Sequence, residues 1–370
     1  MQIEIYNMIV LNNKLNISLE AVCDSFSSLL WDIEYYKCGE FEVYIAASPR
    51  IIEIFQTGRI VGRDDDKEHF GLIESVELET DAEDGDYLII KGRFLMCLLE
   101  RRIIYPTFNF TKFVSYSQIV MNVVQHNACT AGIRKIPGLV VGCSSGSCWN
   151  AETKLQVSYD NLMEWVYTIC EKIGGTANIR LSKTNTEQYE MIFELSQGTD
   201  RSILQEVNPH IIFSDRYNNL LSFTYFTDTS VKKNYAYVLG KGEGEKRKRT
   251  TYFEGSEPSS LERYEVYVDA KDISDEEQEN GETKPLSEEE YAELLKEKGK
   301  QSLVPTKTKS ESQIAVQSTQ FQYGVDYFVG DFVTVEHHRF GIRQNKIQLV
   351  GMIESFDRNG RNLTSTFKEE

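Results

Sequence analysis

Apolar residues recur at every second position near the N-terminus, at Ile3 and Ile5 and again at Phe41, Val43 and Ile45. A side-chain period of two places such residues on one face of a strand, so the first hundred residues are committed to sheets with one buried face. Acidic breaks separate the runs: Asp64-Asp65-Asp66, and Ala82-Glu83-Asp84-Gly85-Asp86, whose Asp-Gly step favours a tight hairpin. Strands joined in this way predict a first small β-barrel or sandwich over residues 1–107.

After about Phe108 the period lengthens. Ile119, Val120, Val123 and Val124 share one face of a helix expected near 115–128, opening at Ser115 or Ser117. Leu162, Val166, Ile169 and Ile173 stripe a second helix near 160–173, opening near Ser158 or Asp160 and stopping at Gly174-Gly175. Alternation then resumes at Ala177, Ile179 and Leu181 and at Tyr189, Met191, Phe193 and Leu195, with Lys183-Thr184-Asn185-Thr186 as the turn between them. Residues 108–197 therefore predict a small α+β domain of two helices and a hairpin.

A second β-rich barrel domain is expected over 198–370, with strands at Leu221, Phe223 and Tyr225, at Tyr235, Tyr237 and Leu239, at Tyr264–Val268 and from Phe332 to Val335. It is interrupted from Asp269 to Lys298 by a block of 12 acidic and four basic residues. Ser287 with Glu290 makes a capping-box start for one short helix there, and the polar Ser274–Pro285 stretch reads as a flexible approach to it. We read an acidic helical insertion over about 269–300. The fold class is α+β, mainly β: two β-barrel-like domains, a smaller α/β domain and that insertion. A chain can leave a barrel and return to it, so the boundaries can interleave.

A chain of 370 residues accommodates two to three domains. The longest apolar run, Phe94 to Leu99, is far short of the roughly 18 residues that cross a bilayer, and no signal pattern opens the sequence. Stable membrane insertion and conventional secretion are not expected. The net charge of −17 opposes attraction to nucleic-acid phosphates, so no specific nucleic-acid binding is expected. Seven cysteines, an odd number, favour reduced thiols over a disulfide framework.

The glycines of Gly240-Lys-Gly-Glu-Gly-Glu alternate with charges and run into Thr250-Thr251-Tyr252-Phe253. A phosphate loop instead needs Gly-x4-Gly-Lys-Ser/Thr opening a helix, so a turn between strands is the better reading and no cofactor is expected. The basic run Lys246, Arg247, Lys248 and Arg249 supplies candidate assembly contacts with an acidic partner surface, the alternative being a solvated turn. Cys143 and Cys148 lack the second pair that a zinc site requires, and Glu336-His337-His338 alternates across a strand. None of His69, His126, His210, His337 and His338 lies in a local nucleophile or metalloprotease pattern. No catalytic or metal-binding residue is assigned, although carboxylates that converge only in space leave no local signature.

Asn234-Tyr-Ala-Tyr-Val-Leu-Gly-Lys-Gly-Glu-Gly-Glu-Lys-Arg, Arg263-Tyr-Glu-Val-Tyr-Val-Asp-Ala-Lys-Asp-Ile-Ser, Leu286-Ser-Glu-Glu-Glu-Tyr, Tyr323-Gly-Val-Asp-Tyr-Phe-Val-Gly-Asp-Phe-Val-Thr-Val and Arg59-Ile-Val-Gly-Arg-Asp-Asp together resemble a siphovirus tail-protein family of Gram-positive prophages. The resemblance spans nearly the whole chain, and its motifs carry no chemistry. It implies a tail-tip or baseplate hub: a homotrimeric ring with two barrels per subunit. Such a ring joins the tail tube or distal tail protein above to tip, tape-measure or receptor-binding proteins below. The implied location is the virion tail, after synthesis in the host cytoplasm. Many relatives continue into C-terminal lysin or fibre regions, whereas this chain stops at Glu370, so an enzyme is not expected. A tail-associated peptidoglycan hydrolase and a carbohydrate-binding β-sandwich module are the alternatives.

Overall fold

The computed structural model describes residues 1–11, 14–81, 85–184, 188–279, 282–304, 307–314 and 320–368. The expected Asp-Gly hairpin centres on 82–84 and the expected Lys183–Thr186 turn on 185–187; both centres lie outside the described residues. The chain is mainly β, with several sheets and shorter helices.

The alternating N-terminal runs form strands Ile3–Leu11, Lys14–Cys23, Ser28–Glu34, Glu40–Ala46, Ile60–Arg63, Asp66–Asp81 and Gly85–Phe94. Their inward residues, among them Ile3, Ile5, Trp31, Phe41, Val43 and Ile90, make one core. The C-terminal strands Ile212–Ser214, Leu220–Asp228, Lys307–Ile314, Phe332–His337, Ile342–Asp357 and Gly360–Lys368 enclose another, around Phe213, Val333, Ile347 and Phe367. The two ends of the chain are one hydrogen-bonded sheet of 13 strands. The junction is the antiparallel pairing of Ile342–Asp357 with Ser28–Glu34, in register from Gly351↔Glu34 to Phe356↔Leu29. Tyr323 and Val329 pack against both cores.

Between the ends sits the helix-containing region. Helix Tyr116–Val124 opens on Ser115, whose hydroxyl accepts from the Gln118 amide, as one of the two expected starts requires. Helix Leu162–Ile173 opens on Asn161, not on Ser158 or Asp160. The Asn161 amide oxygen accepts from the Met163 and Glu164 backbones, a capping geometry that Asn satisfies as well as Ser or Asp. Gly174 closes this helix at φ +73°, a left-handed conformation that glycine enters without a Cβ penalty. Strands Thr176–Lys183 and Tyr189–Ser196 form the expected hairpin and are extended in parallel by Leu139–Ser144.

The insertion is larger than the acidic block. Strands Leu220–Asp228 and Lys307–Ile314 are antiparallel neighbours, and between them Lys233 bridges to Val304, so the intervening chain is a module in its own right. It holds a three-stranded sheet of Tyr235–Leu239, Arg249–Tyr252 and Glu265–Asp269, backed by helix Glu288–Gln301. Tyr291 and Leu295 of the helix cover Ala236, Val238 and Val268. The strands expected at Tyr235–Leu239 and Tyr264–Val268 thus exist but leave the large sheet. The capping box at Ser287 and Glu290 is present. Within its polar approach Glu276–Glu279 pairs with Glu282–Pro285. That approach has no alternating apolar residues in its sequence, so period two did not mark these strands.

Candidate assembly surfaces

Among the described residues, only the sequence neighbours His337 and His338 of the five histidines share a partner. Nδ1 of His69 lies 2.9 Å from Oδ2 of Asp66, and His126 meets the Phe108 ring edge-on at 5.3 Å between centroids. Nε2 of His210 lies 2.7 Å from the Gln205 carbonyl. His337 is 3.5 Å from Asp215, whereas the backbone of its neighbour His338 donates to the same carboxylate at 2.9 Å. Glu336 accepts from the Ser214 hydroxyl. All seven cysteines are free thiols; Cys143 is exposed and donates to Glu194, while Cys148 is half-buried. Among the described residues no three His, Cys, Asp or Glu side chains converge as a metal site would require.

The basic run divides according to the strand geometry around it. Gly240 and Lys248 are hydrogen-bonded across the connection between strands Tyr235–Leu239 and Arg249–Tyr252. That folds Arg247 back over the ends of the strands: its guanidinium donates to the Gly240 carbonyl at 2.7 Å, the Leu239 carbonyl at 2.6 Å and the Tyr267 hydroxyl at 2.8 Å, and pairs with Asp269. A side chain so engaged holds the turn together. Lys246, Lys248 and Arg249 stay exposed, with the Lys248 ammonium 5.0 Å above the Tyr291 ring. Gly240 lies against the Tyr291 hydroxyl, where a Cβ would sit 2.5 Å from that oxygen, so close approach explains this glycine rather than phosphate binding.

A polar group that sequence reasoning missed lies at the junction of the two β regions. Arg63, 1% exposed, donates to Glu354 at 3.1 and 3.3 Å and to Asp65 at 2.9 Å through two nitrogens. Its guanidinium also lies 4.9 Å from the Phe356 ring centre and 5.5 Å from that of Trp31. Arg361 pairs with the same Glu354. Burial works against the Arg63 charge, but Asp65 and Glu354 outweigh it and hold the group protonated. Beside it, Trp31 donates to Asp66 at 3.0 Å. Burial opposes the Asp66 charge, yet His69 and Arg63 hold this carboxylate far below the usual range. A signal existed: period two from Val61, a core residue, puts Arg63 on the inward face of its strand.

The ends of the large sheet are apolar and open. Among the described residues the main path of the sheet ends in Lys14–Cys23 and Leu220–Asp228, and a side branch from Ile342–Asp357 through Phe332–His337 ends in Ile212–Ser214. Leu19 and Val22 on the first, with Ile9 and Val10 on its neighbour, are exposed. On the second, Leu221 is 66% exposed and Tyr225 and Phe226 are exposed as well. The expected Leu221, Phe223 and Tyr225 alternation therefore marks a strand, of which Phe223 packs against the C-terminal core while Leu221 and Tyr225 stay exposed. Exposed apolar edge strands are templates for pairing with another chain.

A family model described as Siphovirus ReqiPepy6 Gp37-like protein matches residues 3–367. No curated protein matches the sequence. Among solved structures, the chain is similar to a tail protein from Neisseria meningitidis MC58 (TM-score 0.58, 13% identity, covering 100% of this chain and 96% of that one). The 43 kDa tail protein of prophage MuSo2 from Shewanella oneidensis is similar too (0.56, 10%, 99% and 98%). So is the prophage tail protein gp18 from Listeria monocytogenes EGD-e (0.56, 12%, 100% and 95%). At these identities the likeness is one of fold.

Proposed function

The chain belongs to the Siphovirus ReqiPepy6 Gp37-like family, and from that premise we propose that it is a structural protein of a phage tail, assembled as a homotrimeric ring at the tail tip or baseplate. Each copy contributes two barrel-like units, one built on strands 3–94 and one on strands 212–368. The ring connects the tail tube or distal tail protein to the tip, tape-measure or receptor-binding proteins beyond it, in the virion tail. The job is one of shape and contact, not of bond breaking.

The observation that carries this reading is the single sheet running through both β regions, whose main path ends in two strands with exposed apolar side chains. A lone copy leaves both edges in water. A closed ring of copies covers each edge with the other and so removes the hazard of open-ended pairing. The buried Arg63–Glu354 pair supports the same reading, because it fixes the angle between the two β regions that a ring would repeat. Light scattering on the purified chain tests it: the expected mass is three times 42.6 kDa. A monomer at micromolar concentration, together with clearing of a cell-wall zymogram, would overturn it in favour of a hydrolase.

A further inference from the structure

We propose that the outer face of the inserted module's sheet is a docking platform for a neutral polysaccharide. Tyr237 and Tyr267 lie in register on adjacent parallel strands, so their side chains project from the same face. The opposite face is taken by helix Glu288–Gln301, through Ala236, Val238 and Val268. Tyr237 is 39% and Tyr267 58% exposed, a pair of neighbouring aromatic residues left in water on a sheet.

Their hydroxyls are held. Arg263 donates to the Tyr237 oxygen at 3.0 Å, and Arg247 donates to that of Tyr267 at 2.8 Å. The rings are therefore fixed at their polar ends. Arg263 also stacks 3.5 Å over Tyr235, closing that end of the row, while the exposed Thr251 flanks Tyr237 on the other side.

The charges around the rings choose the ligand. Arg247 pairs with Asp269, and Arg263 pairs with Glu265 at 2.6 Å and Glu257 at 2.9 Å. With Arg249 the face carries three cations and three carboxylates, and so has no net charge to draw a polyanion or an anionic lipid surface. Two rings also fall far short of the roughly 800 Å² per partner buried in a stable protein interface. Rigid rings set among hydrogen-bonding groups suit a ligand with C–H faces and hydroxyl edges, which is a chain of neutral sugars. The module's core shares no packed residue with the other three cores among the described residues, so the platform belongs to a unit separate from the sheet edges invoked for assembly.

Affinity electrophoresis of the full chain tests this, in native gels cast with dextran, galactomannan, mixed-linkage β-glucan or, as the anionic arm, a polyphosphate teichoic acid. At least one neutral polysaccharide is expected to retard the wild type. The Tyr237→Ala/Tyr267→Ala pair is expected to bind about tenfold more weakly, and the Tyr237→Phe/Tyr267→Phe pair, which keeps both rings, to bind as the wild type does. Circular dichroism and light scattering show that each variant keeps its fold and mass. No retardation by any neutral polysaccharide, retardation by teichoic acid alone, or equal retardation of the Ala pair would overturn the proposal. None of these outcomes bears on the trimer mass, so the two readings fail separately.

Discussion

Arg63 is a buried cation held from four sides, since it contacts Asp65, Glu354, Trp31 and Phe356 at once. Glu354→Ala leaves a guanidinium in the core without its main partner, and the expected loss is about 3–5 kcal/mol of unfolding free energy by urea titration. Arg63→Met with Glu354→Leu removes both charges together and is expected to cost less than either single change. Asp32 gives a pH-dependent case. Burial, reinforced by Glu34 and Glu40 and opposed by Lys37, pushes its carboxyl up to about 6 from 3.8. The folded state thus holds this proton more tightly than the unfolded chain, so Asp32 lowers stability as pH rises from 3.8 to about 6 and keeps it lower above that. Asp32→Asn is expected to exceed the wild type by about 1 kcal/mol at neutral pH after solvent screening, and to match it near the acid end of that window, in thermal unfolding followed across pH. The sequence showed Arg63 and Asp65 in a quoted motif without showing that they are buried, because Glu354 lies 291 positions away.

Helices were the most legible elements, because their signals are local. Stripe, cap and stop for Leu162–Ile173 all fall within about four residues of where they act. Even so the cap was misplaced: Asn161 took the role expected of Ser158 or Asp160. Asn161 also donates its amide to the Glu100 carbonyl at 2.7 Å, tying this helix to the short turn of helix Cys97–Glu100 that ends the first β region. Asn161→Ala is expected to lose about 1–2 kcal/mol by chemical denaturation, while Asn161→Asp, which keeps the cap acceptor but not the donor, loses less. Strands were half legible. Period two found Tyr264–Val268, placed in the structure at Glu265–Asp269, but the same period serves any sheet, so it did not say which one.

At the scale of the molecule, the inserted module is the clearest separable unit. Its ends meet at the Lys233–Val304 bridge, and the strands on either side, Leu220–Asp228 and Lys307–Ile314, already pair. Replacing residues 229–304 with a short Gly-Ser turn is therefore expected to leave the rest of the chain folded, with a single cooperative transition by calorimetry; aggregation or loss of that transition would show that the module supports the large sheet. The acidic block lies inside this unit together with the basic run, so the deletion removes 18 acidic and 13 basic residues and leaves most of the chain's net charge of −17 in place. By itself the sequence determined that both ends are strands, that the middle holds two capped helices and a hairpin, and that a capping-box helix starts after Ser287. Those features rest on side-chain period and on hydrogen bonds between near neighbours. Only the tertiary structure decided that the two β ends are one sheet, that Arg63 is a buried clamp and that the glycine-rich run belongs to a separate module. Pairing partners such as Glu34 and Gly351 are chosen by packing between segments far apart in the chain, and strand periodicity reports that a face is buried without reporting against what.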